Sequence, residues 1–477
     1  MASKKRSSKA LFIFRRDFRL TDNIGLIFAL NNFDNVAPIF IFTPEQITNK
    51  NKYKSNNAIQ FMIESLKELD KKIKKYNSKL HFYYGDNIDV IDEIVKKNSI
   101  THIIFNKDYT PYARSRDRKI KKFCMENKLI CHVMEDYLLK PIGSLNKKNG
   151  DPYTIYTPFK NNAMKLFNKG KTKVDDPVKF SDKTTKPKNL TKLKSTKYDT
   201  KPNKYLKKEN KDILVRGGRK NGLKILKNIN NHKNYNKKRD MLECQTTQLS
   251  AYIKFGCVSI REVYYRILDV LGSKNELLAQ ILWREFYFYI VYYFPKVLKG
   301  KSFSQIKNRG KNIKWNKNKK LFHIWCDAQT GYPIVDAGMT QLNITGYMHN
   351  RARLITANFL NRMLGQDWRL GEEYYATKLT DYDSSVNSGN WQWVASVGVD
   401  PKPYWQRLFN PWTQGKKYDP DAKYIKKWLP QLKNIPAKHL HAWDKHCHKY
   451  DLKEINYYDP IVDYKEARKK SIKMYKS

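Results

Sequence analysis

The sequence predicts an α/β domain built on a parallel, doubly wound sheet, followed by an all-helical domain. Its 477 residues suffice for two domains with separate cores. Short apolar runs alternate with amphipathic segments in the first third, and beyond residue 213 the helical period continues with no strand-like run. We therefore expect an α/β domain over residues 1–140, a connector over 141–212 and a helical domain over 213–477.

Strand-length runs rich in Ile, Val and Phe mark the first domain. They occupy 10–14, 36–42, 80–84, 101–105 and 130–134. The segments between them have the length and period of helices, and they are 24–31, 57–76, 88–97 and 114–127. Strands that alternate with helices are typical of a parallel, doubly wound sheet. The first half contains no G-x-G-x-x-G and no Walker loop, so it lacks a standard nucleotide-binding fingerprint.

The connector and the second half differ in composition. Residues 169–210 are rich in Lys, Thr, Pro and Asp with little periodicity, as in an inter-domain connector. Connectors of this length without secondary structure are unusual. We therefore consider that the segment wraps around the surface of the second domain. Amphipathic segments in the second half predict helices at 262–271, 276–293, 336–346 and 350–364.

The charge balance favours a polyanionic partner. The chain has 93 Lys+Arg against 45 Asp+Glu, a net charge of +48. Such a field attracts nucleic acid or an anionic membrane face, although abundant Lys, Asn, Ile and Tyr also fit AT-rich coding. The six Cys include no C-x-x-C, which argues against a metal site and against a disulfide framework. Without a signal-like or membrane-length apolar run, we expect an intracellular protein of the cytoplasm or nucleus.

The most unusual chemistry lies in the sequence T-D-Y-D-S-S-V-N-S-G-N-W-Q-W. Asp381 and Asp383 stand one residue apart and would repel each other unless a cation or polar ligand lay between them. Asn387 follows within about one helical turn, and then come Trp391 and Trp393, whose N–H groups need partners when buried. Composition alone also allows an acidic loop followed by an aromatic-rich core helix.

This segment resembles the flavin-proximal segment of the DNA photolyase/cryptochrome family, which reads D-x-D-x-x-x-N-x-G-x-W-Q-W. Further resemblances follow in order: F-R-R-D-F-R-L-T-D-N from Phe14, T-G-Y-P-I-V-D-A from Thr330 and M-H-N-R-A-R from Met348. They extend from Leu11 to about Ala467, so the resemblance covers nearly the whole chain, and class I-type cyclobutane pyrimidine dimer photolyases are the most similar members. The Arg and Asp residues of the first motif are equally suited to tying strand ends to helices, so we assign no catalytic residue there.

The resemblance implies that the helical domain binds FAD and that the reduced, anionic form is active. T-T-Q-L-S stands where the family holds the FAD diphosphate with T-S-x-L-S-P, and hydroxyls at a helix start can cap free N–H groups and form an anion site. Thr247 replaces the usual Ser and Ala251 the usual Pro, and we expect both changes to be tolerated. The implied FAD-binding residues are Tyr235, Thr246, Thr247, Gln248, Leu249, Ser250, Trp283, Arg284, Asn350, Arg353, Asp381, Asp383 and Asn387.

Particular roles follow from the same resemblance. Arg353 would pair with Asp381 beside the isoalloxazine, where a fixed cation stabilises an anionic flavin, and Asn387 would face the flavin N5. Trp391, Trp368 and Trp315 match the family's electron-transfer chain, from the flavin to the surface. These three tryptophans, Asn387 and Gln280 are the predicted catalytic residues. The predicted contacts to damaged duplex DNA, made by a monomer, are Gln280, Trp283, Arg351, Leu354, Trp393 and Arg407.

The resemblance leaves the lesion and the activity to be decided. Gln280 is typical of (6-4) enzymes, whereas cyclobutane enzymes usually carry Glu there. The (6-4) reaction needs a general acid, usually His, but the corresponding positions are Asn350 and Leu354. The missing acid outweighs Gln280, so we expect repair of cyclobutane dimers. A (6-4) photolyase, a cryptochrome-type blue-light receptor and a flavin protein with neither activity remain alternatives, and the lack of a long tail after D-P-I-V-D favours repair.

Two further expectations concern bound groups. His349 and Asn350 have no companion ligand at a suitable spacing, so we predict no metal site there. Thr110 stands where folate-binding members of the family carry an acidic residue. The resemblance therefore does not imply a folate antenna, and it leaves open a deazaflavin or no second chromophore.

Overall fold

A parallel sheet of five strands forms the first domain, as predicted. The computed structural model of the chain describes residues 9–168, 189–303, 313–399 and 407–476. The strands lie in the order β3-β2-β1-β4-β5, and every neighbouring pair is parallel. They are β1 Lys9–Phe14, β2 Asn35–Phe42, β3 His81–Tyr84, β4 His102–Asn106 and β5 Ile130–Met134. The strand order reverses between β1 and β4, the position at which doubly wound sheets hold ligands.

Helices cover both faces of the sheet, because the strands are apolar on both sides. In β1, Phe12 and Phe14 join one buried cluster, while Leu11 and Ile13 join another on the opposite face. Four of these helices begin with a polar side chain that caps the first turn. The helices are α1 Ile24–Asn32, α2 Pro44–Ile47, α3 Asn56–Lys74, α4 Asn87–Asn98 and α5 Pro111–Glu126.

The described parts of the connector contact both domains. Helix α6, Tyr156–Asn168, lies against the helical domain, and residues 169–188 of the predicted connector lie outside the described residues. Residues 189–200 then follow the sheet: Thr191 N donates to Val36 O at 2.9 Å, and Tyr84 N donates to Tyr198 O at 2.9 Å. Wrapping around the second domain is therefore not the arrangement of 189–200, because the sheet edge offers these residues unpaired backbone groups.

The second domain is helical, and no strand occurs after residue 213 in the part of the chain that the structure describes. Its helices are α7 Arg219–Lys227, α8 Tyr235–Lys238, α9 Ser250–Lys254, α10 Ile260–Leu271, α11 Glu276–Tyr293, α12 Lys319–Cys326, α13 Pro333–Thr345, α14 Asn350–Asn358, α15 Trp368–Lys378, α16 Ser384–Val394, α17 Pro411–Tyr418, α18 Lys423–Trp428, α19 Ala437–Leu440, α20 Trp443–His446 and α21 Tyr464–Lys476. A π-helical turn, Phe359–Met363, continues α14. The four helices predicted by periodicity correspond to α10, α11, α13 and α14 with this turn. Among the described helices, none combines the length and the apolar character needed to span a membrane.

Buried ion pairs join the two domains. Asp136 accepts from Arg19 at 2.6 Å and from Arg261 of α10 at 2.8 Å, and Arg261 also pairs with Asp22 at 3.0 Å. Arg19, Asp22 and Asp136 are almost fully buried, so each charge depends on its partner. The motif F-R-R-D-F-R-L-T-D-N thus supplies residues that hold the domains together.

Candidate functional site

Helix α16 is the centre of the candidate site, and the two aspartates before it have separate environments. Asp383 caps the helix, since its Oδ1 accepts from two backbone N–H groups of the first turn at 3.0 and 3.4 Å. Its Oδ2 accepts from Arg16 and Tyr137 of the first domain. Burial opposes ionisation, but the Arg16 guanidinium outweighs it and holds the pKa of Asp383 below its usual range. The carboxylate of Asp383 is therefore shared between the first turn of α16 and the first domain, and its contact with FAD stays a prediction.

Asp381 faces the helical domain, where it forms the predicted ion pair with Arg353. Arg353 Nη2 lies 3.2 and 3.0 Å from the two oxygens of Asp381, and Ser250 Oγ donates to Asp381 Oδ2 at 2.7 Å. Arg353 Nε donates to Met348 O at 2.9 Å, which fixes the guanidinium plane. Burial disfavours the cation, but Asp381 outweighs it and raises the pKa of Arg353. Three segments that are distant in sequence thus meet at one charged pair.

The hydroxyl-bearing segment 246–250 lies beside this pair and leaves backbone N–H groups open. Helix α9 has Leu249 as its N-cap, without a side-chain cap. Thr247 Oγ1 accepts from Leu249 N at 3.5 Å, while the hydroxyl of Ser250 is used on the ion pair. Gln248 adopts a left-handed φ of 56°, which turns the chain into α9. Thr247 is therefore the hydroxyl residue of this segment that accepts from a backbone N–H group. The other N–H groups at the start of α9 can receive an anion.

A small basic cavity of about 300 Å³ adjoins the same segment. Its walls include Tyr235, Lys238, Arg239 and Thr246. The two cations supply positive charge and the two hydroxyls can donate hydrogen bonds. An anionic group held at the start of α9 would thus lie next to cations and hydroxyls, the surroundings that phosphate requires.

Asn387 lies in the first turn of α16 and is held by Glu372 of α15. Asn387 Nδ2 donates to the backbone oxygen and to Oε1 of Glu372, both at 3.1 Å. Glu372 is 6 % exposed, and burial raises the pKa of its carboxyl to about 7. The two helices approach closely at Gly371, where a Cβ would lie 2.1 Å from the ring of Trp391. Sequence reasoning missed Glu372, because nothing in W-R-L-G-E-E marks one of its two acids for a neighbouring helix.

The three tryptophans of the predicted electron-transfer chain lie in one apolar cluster. Trp391 and Trp368 are each 2 % exposed, whereas Trp315 is half-buried. The ring of Trp391 makes edge contacts with Trp325 and Tyr375, at centroid distances of 6.2 and 4.8 Å. Exposure therefore increases towards Trp315, the end of the chain predicted to lie at the surface. Trp325 and Tyr375 belong to none of the motifs from which the sequence prediction was made.

Helix α11 presents Gln280 and Trp283 on one face, three residues apart. Both side chains are half-buried. Trp283 stacks on Tyr156 of α6, with ring centroids 3.5 Å apart and 11° between the planes. The hydroxyl of Tyr156 donates to the backbone oxygen of Ala279 at 2.6 Å. The predicted lesion-pocket tryptophan is thus clamped by a residue of the connector that the sequence analysis did not single out.

Arg284 follows on α11 but faces the first domain. It donates to Tyr137 O at 3.1 Å and to Glu285 Oε1 at 2.7 Å. Its guanidinium also lies over the rings of Tyr137 and Phe288, at 4.2 and 4.9 Å. These contacts hold Arg284 against the first domain, and its contact with FAD stays a prediction.

The two arginines predicted to bind DNA phosphates have different positions. Arg407 is 3 % exposed, lies 4.0 Å over the ring of Trp393 and donates to Trp393 O at 2.9 Å. The predicted phosphate contact of Arg407 is therefore wrong, because its guanidinium is buried against the indole that it supports. Arg351 is less buried, pairs with Asp240 at 2.8 Å and lies over the ring of Tyr418 at 4.3 Å.

The positions at which (6-4) enzymes place an imidazole carry none here. Asn350 is exposed at the first residue of α14, and Leu354 lies one turn later. The neighbouring His349 caps α14, where its Nδ1 accepts from Arg351 N at 3.1 Å. Burial lowers the pKa of His349 to about 4, so this imidazole is neutral near pH 7 and is a poor acid.

A cavity of about 870 Å³ lies between the two domains, at the carboxyl ends of β1 and β2. Arg16 and Lys254 contribute cations to its wall, and Tyr53, Tyr382 and Glu372 also line it. Burial, followed by repulsion from Arg16, lowers the pKa of Lys254 to about 7. Its size and its place at the switch point of the sheet are those of a ligand site.

Known proteins share this two-domain organisation. The family model described as DNA photolyase matches residues 10–179, and the one described as FAD binding domain of DNA photolyase matches residues 277–477. A deoxyribodipyrimidine photo-lyase of Escherichia coli (strain K12) is 32 % identical over 97 % of this chain and 98 % of its own. The crystal structure of an archaeal photolyase from Sulfolobus tokodaii with two FAD molecules is 38 % identical, covering 98 % of this chain and 99 % of its own with a TM-score of 0.83. A cryptochrome of Synechocystis is 25 % identical over 98 % of this chain and 99 % of its own, with a TM-score of 0.85.

Proposed function

Because the chain belongs to the DNA photolyase family, we propose that it is a deoxyribodipyrimidine photo-lyase that uses light to split cyclobutane pyrimidine dimers in DNA. The observation that carries this proposal is the convergence of Ser250, Arg353, Asp381 and Asn387 at the start of α16. These residues come from separate parts of the helical domain, and they bring a fixed cation and an oriented amide to one place.

The residues present fit FAD. A diphosphate requires an anion site, which the open N–H groups of α9 and the basic cavity containing Lys238 and Arg239 offer. An anionic isoalloxazine requires a cation, which Arg353 supplies. Near the ion pair, the buried hydroxyls of Thr380 and Ser385 have no hydrogen-bond partner among the described residues, as expected where a ligand completes the site.

The protein's contribution is to bind FAD, to orient it and to exclude water from its surroundings. When bound, reduced FAD supplies the electron that opens the dimer after absorption of light, and it recovers that electron afterwards. Arg353, held by Asp381 and Met348 O, favours an anionic ligand beside it. Asn387 Nδ2 donates its hydrogen bonds to Glu372. Its Oδ1 is therefore the atom of this amide that can accept a hydrogen bond from a ligand. The buried rings around Trp391 keep water from this side of the site.

The choice of cyclobutane dimers over (6-4) photoproducts is supported by the lack of an acidic imidazole. Asn350 and Leu354 stand at the two positions, and His349 is committed to capping α14. Gln280 changes one hydrogen-bond partner of the lesion, an effect of about 1–3 kcal/mol when a charged group is involved. Loss of the general acid disables the (6-4) reaction altogether, so it outweighs Gln280. A (6-4) photolyase and a cryptochrome-type receptor are the alternatives.

Repair of defined lesions tests the proposal. Chemically reduced, FAD-loaded protein is illuminated with oligonucleotides that carry either one cyclobutane dimer or one (6-4) photoproduct, with dark samples as controls. We expect the intact strand to be restored from the cyclobutane dimer, only in the light. Repair of the (6-4) product alone would refute the proposed substrate, and repair of neither lesion would favour a cryptochrome-type receptor.

Trp391, Trp368 and Trp315 are proposed to return the flavin to its reduced form by passing electrons inwards from the surface. The supporting observation is their common cluster, with exposure increasing towards Trp315. Trp391→Phe should strongly slow photoreduction by an external reductant while leaving repair by pre-reduced protein intact. Trp443→Phe, a buried tryptophan that donates to Tyr458 O instead, is the matched control. Equal loss of photoreduction and repair would show that the effect is structural.

A second chromophore is the proposed occupant of the interdomain cavity. The cavity volume of about 870 Å³ suits a ligand of flavin size, and the Sulfolobus tokodaii photolyase is described with two FAD molecules. Thr110 caps α5 by accepting from Ala113 N at 3.3 Å and offers no carboxylate, so a flavin or deazaflavin is favoured over folate. Chromophores released from the purified protein are identified by absorption and mass. One FAD per chain and nothing else would contradict the proposal.

We further propose that the protein acts as a monomer on damaged duplex DNA, in the cytoplasm or nucleus. One chain supplies all the groups named above, and the net charge of +48 suits the phosphate backbone. The domain division proposed from the sequence, 1–140, 141–212 and 213–477, places every proposed FAD contact in the third part. Light scattering after gel filtration, with and without a lesion-bearing duplex, measures how many chains are present in the free protein and in the complex. A stable dimer of the protein would contradict the proposed monomer.

A further inference from the structure

We propose that Tyr156 is a positioning residue for lesion recognition, because it stacks on one face of Trp283 and so holds the opposite face ready for a planar pyrimidine extruded from DNA. Tyr156 begins α6 in the predicted connector, and Trp283 lies in the middle of α11. This role rests on the proposed function, since it concerns how damaged DNA is recognised. The stacked pair itself is a property of the chain.

The rings of Tyr156 and Trp283 lie face to face. Their centroids are 3.5 Å apart, with 11° between the planes. Two aromatic rings on their own favour an offset or an edge-to-face arrangement, because the quadrupoles of directly superposed faces repel each other. Other contacts must therefore hold Tyr156 in this position.

Helix α6 is fixed on α11 by contacts that do not involve Trp283. The hydroxyl of Tyr156 donates to Ala279 O at 2.6 Å, and Tyr156 is only 8 % exposed. Phe159, three residues later in α6, packs on Phe286 and Tyr289, with ring centroids 5.3 Å apart in each case. The ring of Tyr156 is thus tethered at its hydroxyl and at the helix that carries it.

The geometry of α11 indicates which face of the Trp283 indole stays open. Successive residues of an α-helix are about 100° apart around its axis. Ala279, to which Tyr156 bonds, therefore lies about 40° to one side of Trp283, and Gln280 lies about 60° to the other side. Tyr156 covers the face of the half-buried indole towards Ala279. The face towards Gln280 is the one that can receive a ligand.

The groups on the open side suit a flipped pyrimidine. The half-buried amide of Gln280 can both donate and accept hydrogen bonds, as the edge of a base requires. Tyr287 borders the same side, with its ring centroid 5.6 Å from that of Trp283, and its hydroxyl donates to Asn390 of α16 at 3.4 Å. Photolyases and other enzymes that act on a flipped base read it by aromatic stacking and by hydrogen bonds to its edge. One indole face beside an amide offers both.

Holding the indole in place beforehand strengthens binding of the lesion selectively. A half-exposed tryptophan that is free to rotate loses rotamer freedom when a base stacks on it, and this loss opposes binding. Tyr156 confines the Trp283 indole before DNA arrives, so the loss no longer accompanies binding of damaged DNA. Undamaged duplex keeps its bases inside the helix and gains nothing from the open face. Tyr156 therefore increases the preference for damaged over undamaged DNA.

Binding to matched duplexes in the dark tests this role. FAD-loaded protein is titrated with a duplex that carries one cyclobutane dimer and with the same duplex undamaged, and the ratio of the two affinities is the readout. Tyr156→Leu should lower this ratio about tenfold, comparable with one weakened base-stacking contact, and should leave binding of the undamaged duplex unchanged. Tyr156→Phe should retain most of the ratio, because it keeps the ring. An unchanged ratio in Tyr156→Leu would overturn the proposal.

Phe159→Leu is the matched control, since Phe159 is buried in the same helix but packs on Phe286 and Tyr289. It should lower stability by an amount similar to Tyr156→Leu and leave the affinity ratio unchanged, and an equal loss of the ratio in both variants would refute a specific role of Tyr156. Tyr156→Leu added to Trp283→Leu should cause no further loss, because Tyr156 acts through the indole, and additive losses would contradict this. If Tyr156→Leu does not fold, Tyr156→Met fills the volume with a flexible chain and tests the same step.

Repair in the light separates this role from the proposed function. In pre-reduced protein, Tyr156→Leu should raise KM for the cyclobutane dimer about tenfold and leave kcat nearly unchanged, since the loss is one of substrate binding. A fall in kcat at unchanged KM would overturn the proposal. If wild type prefers the damaged duplex in the dark but repairs neither lesion in the light, the proposed function fails and the role of Tyr156 in recognition stands.

Discussion

Two arginine–aspartate pairs, whose aspartates lie on either side of Tyr382, serve this protein in different ways. At the domain interface, both oxygens of Asp383 have partners within the chain: Arg16, Tyr137 and the first turn of α16. At the candidate site, Asp381 binds Arg353 and Ser250, beside an uncapped helix start. Both aspartates are largely buried and both are paired, so neither charge nor burial separates them. The difference is that both oxygens of Asp383 are occupied by partners within the chain, whereas beside Asp381 helix α9 begins without a side-chain cap and can receive an anionic ligand.

The largest expected effect lies at the interface. Asp136→Asn leaves Arg19 without a carboxylate partner in a buried position. The free energy of unfolding in urea should fall by about 3–5 kcal/mol, as when a buried ion pair loses one member. Asp92→Asn, which removes an exposed pair with Lys96 on α4, is the control and should change little. Similar values for both variants would show that the interface charges are not structural.

The next effect is a pH dependence at the site. The pKa of Glu372 is raised from 4.5 to about 7 in the folded protein, so the folded state binds this proton more tightly than the unfolded state. The resulting stabilisation is complete below about pH 4.5 and is lost as the pH rises through 7. Between pH 4 and 7, FAD-free wild type should lose on the order of 3 kcal/mol of unfolding free energy relative to Glu372→Gln. Urea unfolding of both proteins across this pH range measures the difference. If the unfolding free energies of the two proteins changed with pH in parallel, the prediction would be contradicted.

Asp381 and Asp383, on either side of Tyr382, give the most direct comparison. Asp383→Asn keeps a capping side chain but loses its charge towards Arg16, so the FAD-free protein should lose about 2 kcal/mol of unfolding free energy. Asp381→Asn should lose less than half of that, yet weaken FAD binding by about tenfold or more, because Arg353 loses the partner that orients it. Urea unfolding and fluorescence titration with FAD measure the two quantities. The opposite pattern would reverse the assignment of interface and site.

The smallest effect separates the two arginines near the predicted DNA surface. Arg351→Ala should lower the slope of log affinity against log salt by about one, as expected for one lost phosphate contact. Arg407→Ala should leave that slope unchanged and reduce stability instead, since Arg407 is stacked on Trp393. Both slopes come from binding of undamaged duplex over a salt series. An equal fall of the salt slope in both variants would show that Arg407 also contacts a DNA phosphate.

The alternation of strands and helices was readable in the sequence because it depends on local pattern. All five strands lie within one residue of their predicted bounds. Helix α6 falls in the predicted connector, because its own sequence pattern does not indicate a helix. The helix is stabilised by contacts with α11, where Tyr156 stacks on Trp283 and Phe159 packs on Phe286 and Tyr289. Tertiary packing of this kind leaves little trace in the periodicity of the segment itself.

The site was predictable only where a motif carried it. The pairing of Arg353 with Asp381 followed from two motifs, but the direction of the Asp383 carboxylate did not, because it depends on Arg16 in another domain. Glu372 could not be found in this way. It belongs to no motif, and it becomes significant only because the fold brings it within hydrogen-bonding distance of Asn387 on another helix.

The segment 189–200 has a consequence for how the protein is made. It pairs with β3 through Tyr84 N to Tyr198 O and Thr200 N to Phe82 O, and so protects the edge strand of the sheet. An unpaired edge is a template for association with other chains. During synthesis, β3 leaves the ribosome long before its protecting segment, so the nascent sheet is exposed to aggregation until residue 200 has emerged. A fragment ending at residue 140 would keep that open edge permanently, whereas one ending near residue 210 would carry its own protection.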